Sequence, residues 1–173
     1  MSNYYTLLQM GSDPSSLHFQ DSEGRQAFTV ITVDQNANPV VKVAREAQWS
    51  QQHPDIMGPE SAFLYLGPGG TRGYMVYGNG KELKMADHLR QTNQGSPSRY
   101  FTTLAGRELK WRLCPDRMEC VDGRSIVAVW APGESEDRSS AHLTLQHSTL
   151  SYVTELVTTL ILNRMAQHLN WDA

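Results

Sequence analysis

The C-terminal segment from Thr149 to Ala173 constrains the fold of this chain more than any other stretch. Between residues 150 and 169 the formally charged residues are Glu155 and Arg164, and apolar side chains recur at helical spacing. This pattern predicts a helix over about 149–169 that is apolar almost all round. Such a helix must be enclosed by the rest of the protein, because a surface position would expose half of it to water. Its longest nearly apolar run, LVTTLIL, is too short to cross a bilayer, so no transmembrane segment is predicted.

Upstream of this helix, short β-rich runs alternate with turn residues. Ala27 to Val33 is rich in β-branched residues, and Glu108 to Cys114 alternates charged with apolar side chains. A polar stretch over 87–98 (DHLRQTNQGSPS) is predicted to be an exposed loop. A run of antiparallel hairpins has two exposed edges, and closure into a barrel removes them. The predicted fold is mainly β (α+β): a closed antiparallel β-barrel, with strands over about 4–147, wrapped around the hydrophobic C-terminal helix.

Composition and charge set the broad class of protein. With 173 residues and no evident linker, the chain is predicted to be a single domain over 1–173. A net charge of −3 gives no reason to expect a nucleic-acid partner, which would call for a basic excess. The N-terminus lacks the pattern of a signal peptide, and two cysteines are too few for a disulfide framework. These features predict a cytoplasmic protein, with peripheral membrane association left open.

The two cysteines flank a predicted tight turn. With Asp116-Arg117 at the tip of that turn, residue 113 would face residue 120, and the two thiols would lie on opposite faces of the hairpin. Cys114 and Cys120 are therefore predicted to be reduced and not joined to one another.

Several short segments carry a resemblance to a known family. They are Pro39 to Val43 (PVVKV), Leu109 to Arg112 (LKWR), Cys120 to Gly123 (CVDG), Ile126 to Val129 (IVAV), and Glu155 with Thr158 to Met165. The chain resembles the tubby C-terminal-like superfamily, which includes the LURP-one-related proteins and phospholipid scramblases, and within it a mainly fungal branch. The resemblance spans about residues 27–169. The resemblance implies a closed antiparallel barrel around a hydrophobic C-terminal helix. Tubby domains are similar to modules that bind phosphoinositides through a pocket of Lys and Arg, so the resemblance also implies that kind of ligand.

Basic residues on neighbouring hairpins are the candidate ligand-binding residues. They are Lys84, Lys110, Arg112, Arg72 and Lys81. Period-two alternation sends the first three to the outer face of the sheet, where an anionic lipid head group would need several converging donors. The alternative is a solvated face of mixed charge, since glutamates are interleaved with these cations. The predicted function is a non-enzymatic binding or interaction module for an anionic phospholipid or a partner protein.

A small enzyme with a pocket at one barrel mouth is the alternative from a different class. Asp87, His88 and His142 are the candidate acid/base residues, because imidazole and carboxylate side chains supply general acid–base chemistry. The histidines lack zinc-ligand spacing, so neither a metal nor a cofactor is predicted.

Overall fold

The computed structural model describes residues 3–134 and 136–171, which form one antiparallel sheet and a C-terminal helix. The first six strands are β1 (Tyr4–Asp13), β2 (Ser16–Gln20), β3 (Gln26–Asp34), β4 (Val40–Arg45), β5 (Ser61–Tyr65) and β6 (Tyr74–Tyr77). The next six are β7 (Leu83–Lys84), β8 (Ser98–Thr102), β9 (Glu108–Leu113), β10 (Met118–Asp122), β11 (Ser125–Pro132) and β12 (Ala141–Gln146). The helices are α1 (Ala47–Ser50) and α2 (Val153–His168).

The strand order of the sheet is β7-β6-β5-β4-β3-β2-β1-β12-β11-β10-β9-β8. Most neighbours are consecutive hairpin strands, and the pairing of β1 with β12 joins the first strand to the last. The predicted antiparallel sheet with a C-terminal helix is confirmed. Closure of the sheet into a barrel stays a prediction, because β7 and β8 are the two ends of this order.

The segment between β7 and β8 hydrogen-bonds to both ends of the sheet. Its first part is a 3-10 turn over Met85–His88, and the backbone N–H of Met85 donates to the Gly73 carbonyl at 3.1 Å. Further along, Arg90 and Tyr100 exchange two backbone hydrogen bonds of 2.7 and 3.2 Å. His88 and its neighbour Leu89 are consequently buried. The prediction of an exposed loop over 87–98 is therefore wrong for His88 and Leu89, whereas Asp87 and residues 90–95 are exposed.

Helix α2 is enclosed as the sequence predicts. Every residue from 153 to 163 is buried, and Leu156, Leu160 and Ile161 have no accessible surface. The helix begins later than predicted, because a 3-10 turn over His147–Tyr152 leads into it. Within the described residues, no helix is both long enough and apolar enough to span a membrane.

The hairpin of β9 and β10 differs from its predicted register by two residues. Leu113 pairs with Met118 and not with Cys120, and Cys120 pairs with Trp111. The reason is Pro115: its fixed φ favours the second position of a turn, and the turn closes when the Cys114 N–H donates to the Arg117 carbonyl at 2.9 Å. A two-residue shift keeps each side chain on its face. Cys120 therefore lies in the core, and both thiols are free.

Candidate functional site

The cations predicted to lie on the outer face differ in how far they are available to a ligand. Lys84 is exposed on β7, opposite Tyr74. Lys110 on β9 lies over the Tyr100 ring, with 5.7 Å between its Nζ and the ring centroid. Arg112 is held by a buried carboxylate, since its Nη2 and Nε donate to Glu119 Oε1 at 2.6 and 3.0 Å. These hydrogen bonds raise the pKa of Arg112 and lower that of Glu119. Two of the three cations are thus free of an acidic partner within the described residues.

The remaining basic candidates, Arg72 and Lys81, precede β6 and β7 and are both exposed. Lys81 lines a cavity of about 400 Å³ beside the segment that separates β7 from β8, and we call this cavity the edge cleft. The edge cleft is lined by Lys81, Leu83, Asp87, His88, Arg90, Thr102, Thr103 and Leu104. It brings together one predicted ligand-binding residue and two of the predicted acid/base residues.

His88 is the chemically most distinctive side chain of the edge cleft. It is 7 % exposed, and its Nδ1 has no hydrogen-bond partner within the described residues. Burial lowers its pKa, which keeps the imidazole neutral near pH 7. Arg90 is engaged by other groups, because its Nη2 donates to Thr102 Oγ1 at 3.2 Å and lies 3.3 Å from Glu108 Oε2. The His88 imidazole is therefore neutral and could accept a proton, but no side chain among the described residues hydrogen-bonds to its Nδ1 and orients the ring.

His142, the third acid/base candidate, lies on β12 and outside the edge cleft. Its Nε2 is 3.0 Å from Ser139 Oγ and 3.5 Å from Asp137 Oδ2. A serine–histidine–aspartate relay needs the hydroxyl and the carboxylate on different ring nitrogens. Here both groups meet the same nitrogen, so the arrangement holds the loop that precedes β12 and cannot pass a proton through the ring.

Glu155 is a buried carboxylate to which the sequence reasoning gave no functional role. It lies in the first turn of α2 and is 4 % exposed. Its Oε2 accepts a hydrogen bond of 2.7 Å from the backbone N–H of Leu104, a residue that lines the edge cleft. Burial raises the pKa of Glu155 in spite of this bond. The signal in the sequence was a lone acidic residue within an apolar helix.

A larger cavity, of about 610 Å³, opens at the C-terminal end of α2, and we call it the helix-end cleft. It is lined by Asp13, Pro14, Ser15, Ser16, Ile31, Thr32, Gln35, Pro39, Val41, Leu66, Gly70, Met165, His168 and Leu169. Val41, Leu66 and Met165 are core residues and give it an apolar floor. The polar lining residues come mainly from the turn between β1 and β2 and from β3 with the loop that follows it.

Sequence reasoning missed the helix-end cleft because its lining comes from four separate parts of the chain. The one available signal lay on β3, whose apolar residues do not follow a strict alternation. Ile31 and Val33 face outward with 45 % and 47 % of their surface exposed. Ile31 lines the cleft, and Val33 does not.

No protein-family model, curated protein or solved structure matches the chain. Function must therefore be argued from the geometry of the clefts. In the part of the chain that the structure describes, no group of three or more His, Cys, Asp or Glu side chains could hold a metal ion.

Proposed function

We propose that the protein is a non-enzymatic binding module that holds a small amphiphilic molecule in the helix-end cleft. The observation that carries this proposal is the apolar floor of Val41, Leu66 and Met165 beneath a polar rim. A volume of about 610 Å³ lies within the usual range of small-molecule sites, roughly 300–1,000 Å³. Sites of that kind are mostly apolar, with a few polar groups that orient the ligand.

The charges around the helix-end cleft favour a neutral ligand over an anionic one. Asp13 is the acidic lining residue, and no Lys or Arg is among the lining residues. The Asp13 carboxylate already accepts hydrogen bonds from the backbone N–H and the hydroxyl of Ser15, at 2.9 and 2.8 Å. A ligand with an apolar body and an uncharged polar end therefore fits this lining best.

Titration of the full chain with Nile red, a neutral apolar dye, tests the proposal. We expect saturable enhancement of the dye's fluorescence at one site, and displacement by a neutral monoacylglycerol. Ile31→Glu should weaken dye binding at least tenfold, because it places a carboxylate in the apolar part of the cleft. Lys42 lies opposite Ile31 in the strand pairing and tolerates that charge in the fold.

Val33→Glu is the matched control, since Val33 shares the strand and the exposure of Ile31 but not the cleft. We expect this variant to bind the dye as the unmodified chain does. Equal binding by the Ile31→Glu variant, or dye uptake that never saturates, would overturn the proposal.

Docking on an anionic lipid surface is the second candidate function. What supports it is the exposure of Lys81 and Lys84 and the position of Lys110 over an aromatic ring, none of them paired with a carboxylate within the described residues. A cytoplasmic location at the membrane surface belongs to this candidate. An enzymatic function has no comparable support. His88 and His142 lie on different elements, and neither has a partner oriented for proton transfer within the described residues.

Closure of the sheet around α2, as the tubby-like resemblance implies, is part of the same proposal. The support for closure is the hydrogen bonding of the segment between β7 and β8, which engages Gly73 on one side and Tyr100 on the other. A closed sheet would give the helix-end cleft a rigid rim. Slow amide exchange at Arg90 and Tyr100, comparable with that of the central strands, is the expected result.

A further inference from the structure

We propose that a small oxyanion, carrying a phosphate or carboxylate group, binds where Arg164 of α2 lies over the indole of Trp130 on β11. The cavity at this point, the Trp130 pocket, has a volume of about 220 Å³. This is below the range typical of drug-sized ligands, so the pocket suits a single anionic group. The inference depends on other residues than the helix-end cleft and stands apart from the function proposed for that cleft.

Arg164 is a half-buried cation without a carboxylate partner in the described part of the chain. Its Cζ lies 4.3 Å from the Trp130 ring centroid, and its Nη1 donates to Gln167 Oε1 at 2.6 Å. A guanidinium has five N–H donors and needs acceptors for them when it leaves water. Burial lowers the pKa of Arg164, which means that its surroundings do not compensate the lost hydration.

Arg45 shows how this chain treats a desolvated guanidinium that has a structural role. Its Nη1 lies within hydrogen-bond distance of the carbonyls of Met57, Gly58 and Pro59 and of Thr154 Oγ1. Through these contacts Arg45 connects the loop before β5 to helix α2. Among the described residues, Arg164 has a single acceptor, the amide oxygen of Gln167. Its other N–H groups therefore remain available to an acceptor on a bound ligand.

The Trp130 pocket is already organised to receive such a group. The Trp130 Nε1–H donates to Gln9 Oε1 at 2.9 Å, which fixes the indole beneath the guanidinium. Ser12 and Ser140 line the pocket and are exposed, so their hydroxyls are available as further donors.

The remaining charges of the pocket leave it positive. Arg117 and Asp116 line it together, and they lie 3.3 Å apart as an ion pair. Arg164 is then the unbalanced charge of the lining. Arginine forms two parallel hydrogen bonds to a carboxylate or phosphate, which makes an oxyanion the natural counterpart.

The test follows the indole N–H resonance of Trp130 in the full chain by ¹⁵N–¹H NMR, with the resonance assigned from Trp130→Phe. Inorganic phosphate, acetate and chloride are titrated at equal ionic strength. We expect phosphate or acetate to shift the Trp130 resonance saturably, and the one that saturates identifies the class of ligand. Chloride should produce a small, linear change. A linear response to all three salts would overturn the proposal.

Arg164→Gln should weaken binding of the anion that saturates by at least tenfold. Arg164→Lys should retain part of the affinity, because it keeps the positive charge. Arg124→Gln is the matched control, because Arg124 is an exposed cation in the turn between β10 and β11. Unchanged affinity in Arg164→Gln would mean that the guanidinium is only stacked on the indole, and the proposal would fail.

Discussion

The indole N–H of Trp111 on β9 donates a hydrogen bond of 2.9 Å to Thr159 Oγ1 on α2, and neither residue has accessible surface. The Thr159 hydroxyl also lies 2.9 and 3.0 Å from the carbonyls of Glu155 and Leu156. It therefore donates back to its own helix while it accepts from the sheet. A single hydroxyl satisfies a buried indole and fixes the rotation of the helix relative to β9.

Thr159→Val should reduce the free energy of unfolding by about 1–3 kcal/mol, because it leaves the buried Trp111 N–H without an acceptor. Urea denaturation followed by tryptophan fluorescence measures the change. Thr158→Val is the matched control: Thr158 has no accessible surface, and its Oγ1 has no hydrogen-bond partner within the described residues. We expect the control to be neutral or more stable than the unmodified chain. Equal losses in the two variants would contradict the role given to Thr159.

Leu160→Ala should destabilise the fold by about 2–5 kcal/mol, since it leaves a cavity beneath the sheet at a residue with no accessible surface. Ile126→Ala, at a position that is 40 % exposed, should change the free energy of unfolding by much less. Deletion of residues 149–173 removes the enclosed helix, and we expect it to abolish cooperative unfolding. A truncated chain that still unfolds in one cooperative transition would refute the enclosed-helix fold.

Glu155→Gln should change how stability depends on pH. The folded pKa of Glu155 is raised by burial, so at pH values between the unfolded and the folded pKa the native state binds more protons than the unfolded chain. The contribution of Glu155 is present below the ordinary carboxyl pKa and is lost as pH rises through the raised value. Gln keeps an acceptor for Leu104 and carries no charge, so the variant should gain stability relative to the unmodified chain as pH increases. Urea midpoints at about pH 5 and about pH 8 measure this difference, and a constant gain would count against it.

The two thiols should differ sharply in reactivity. Cys114 is half-buried after β9, whereas Cys120 has no accessible surface and burial raises its pKa. Because the thiolate is the nucleophile, brief iodoacetamide treatment of the native chain should add one group, at Cys114. Intact-mass measurement should show a second adduct after unfolding in urea, without a reductant. Protection of both thiols until reduction would indicate a disulfide and contradict the hairpin register.

The sequence predicted the parts of the fold that depend on local pattern. An almost uniformly apolar helix has to be enclosed, and α2 is. The register of β9 and β10 was missed because the turn was centred one residue late, on Asp116-Arg117, although Pro115 favours an earlier turn position. The helix-end cleft and the Trp130 pocket could not be predicted, since residues from β1 and from α2 meet in both only after the chain has folded.

The structure changes which cations best test the predicted binding to an anionic lipid surface. Arg112 belongs to the ion pair with Glu119, a carboxylate that is 5 % exposed, so its reversal would disturb the fold together with the surface charge. Lys81, Lys84 and Lys110 have no such partner within the described residues, and they form the better test. A cation near an anionic membrane contributes about 1 kcal/mol, so three together would account for roughly a hundredfold in affinity.

Reversal of these three lysines to glutamate should abolish sedimentation with phosphoinositide-containing liposomes at low salt. Binding by the unmodified chain should weaken steeply as salt increases, because exposed charges are screened beyond the Debye length. Lys42→Glu is the control: Lys42 lies on β4, with its Nζ 5.6 Å from the Phe63 ring centroid. We expect this variant to bind as the unmodified chain does. If the triple variant still sediments with the liposomes, or the unmodified chain never does, the basic face is only solvated and a partner protein becomes the better candidate for that surface.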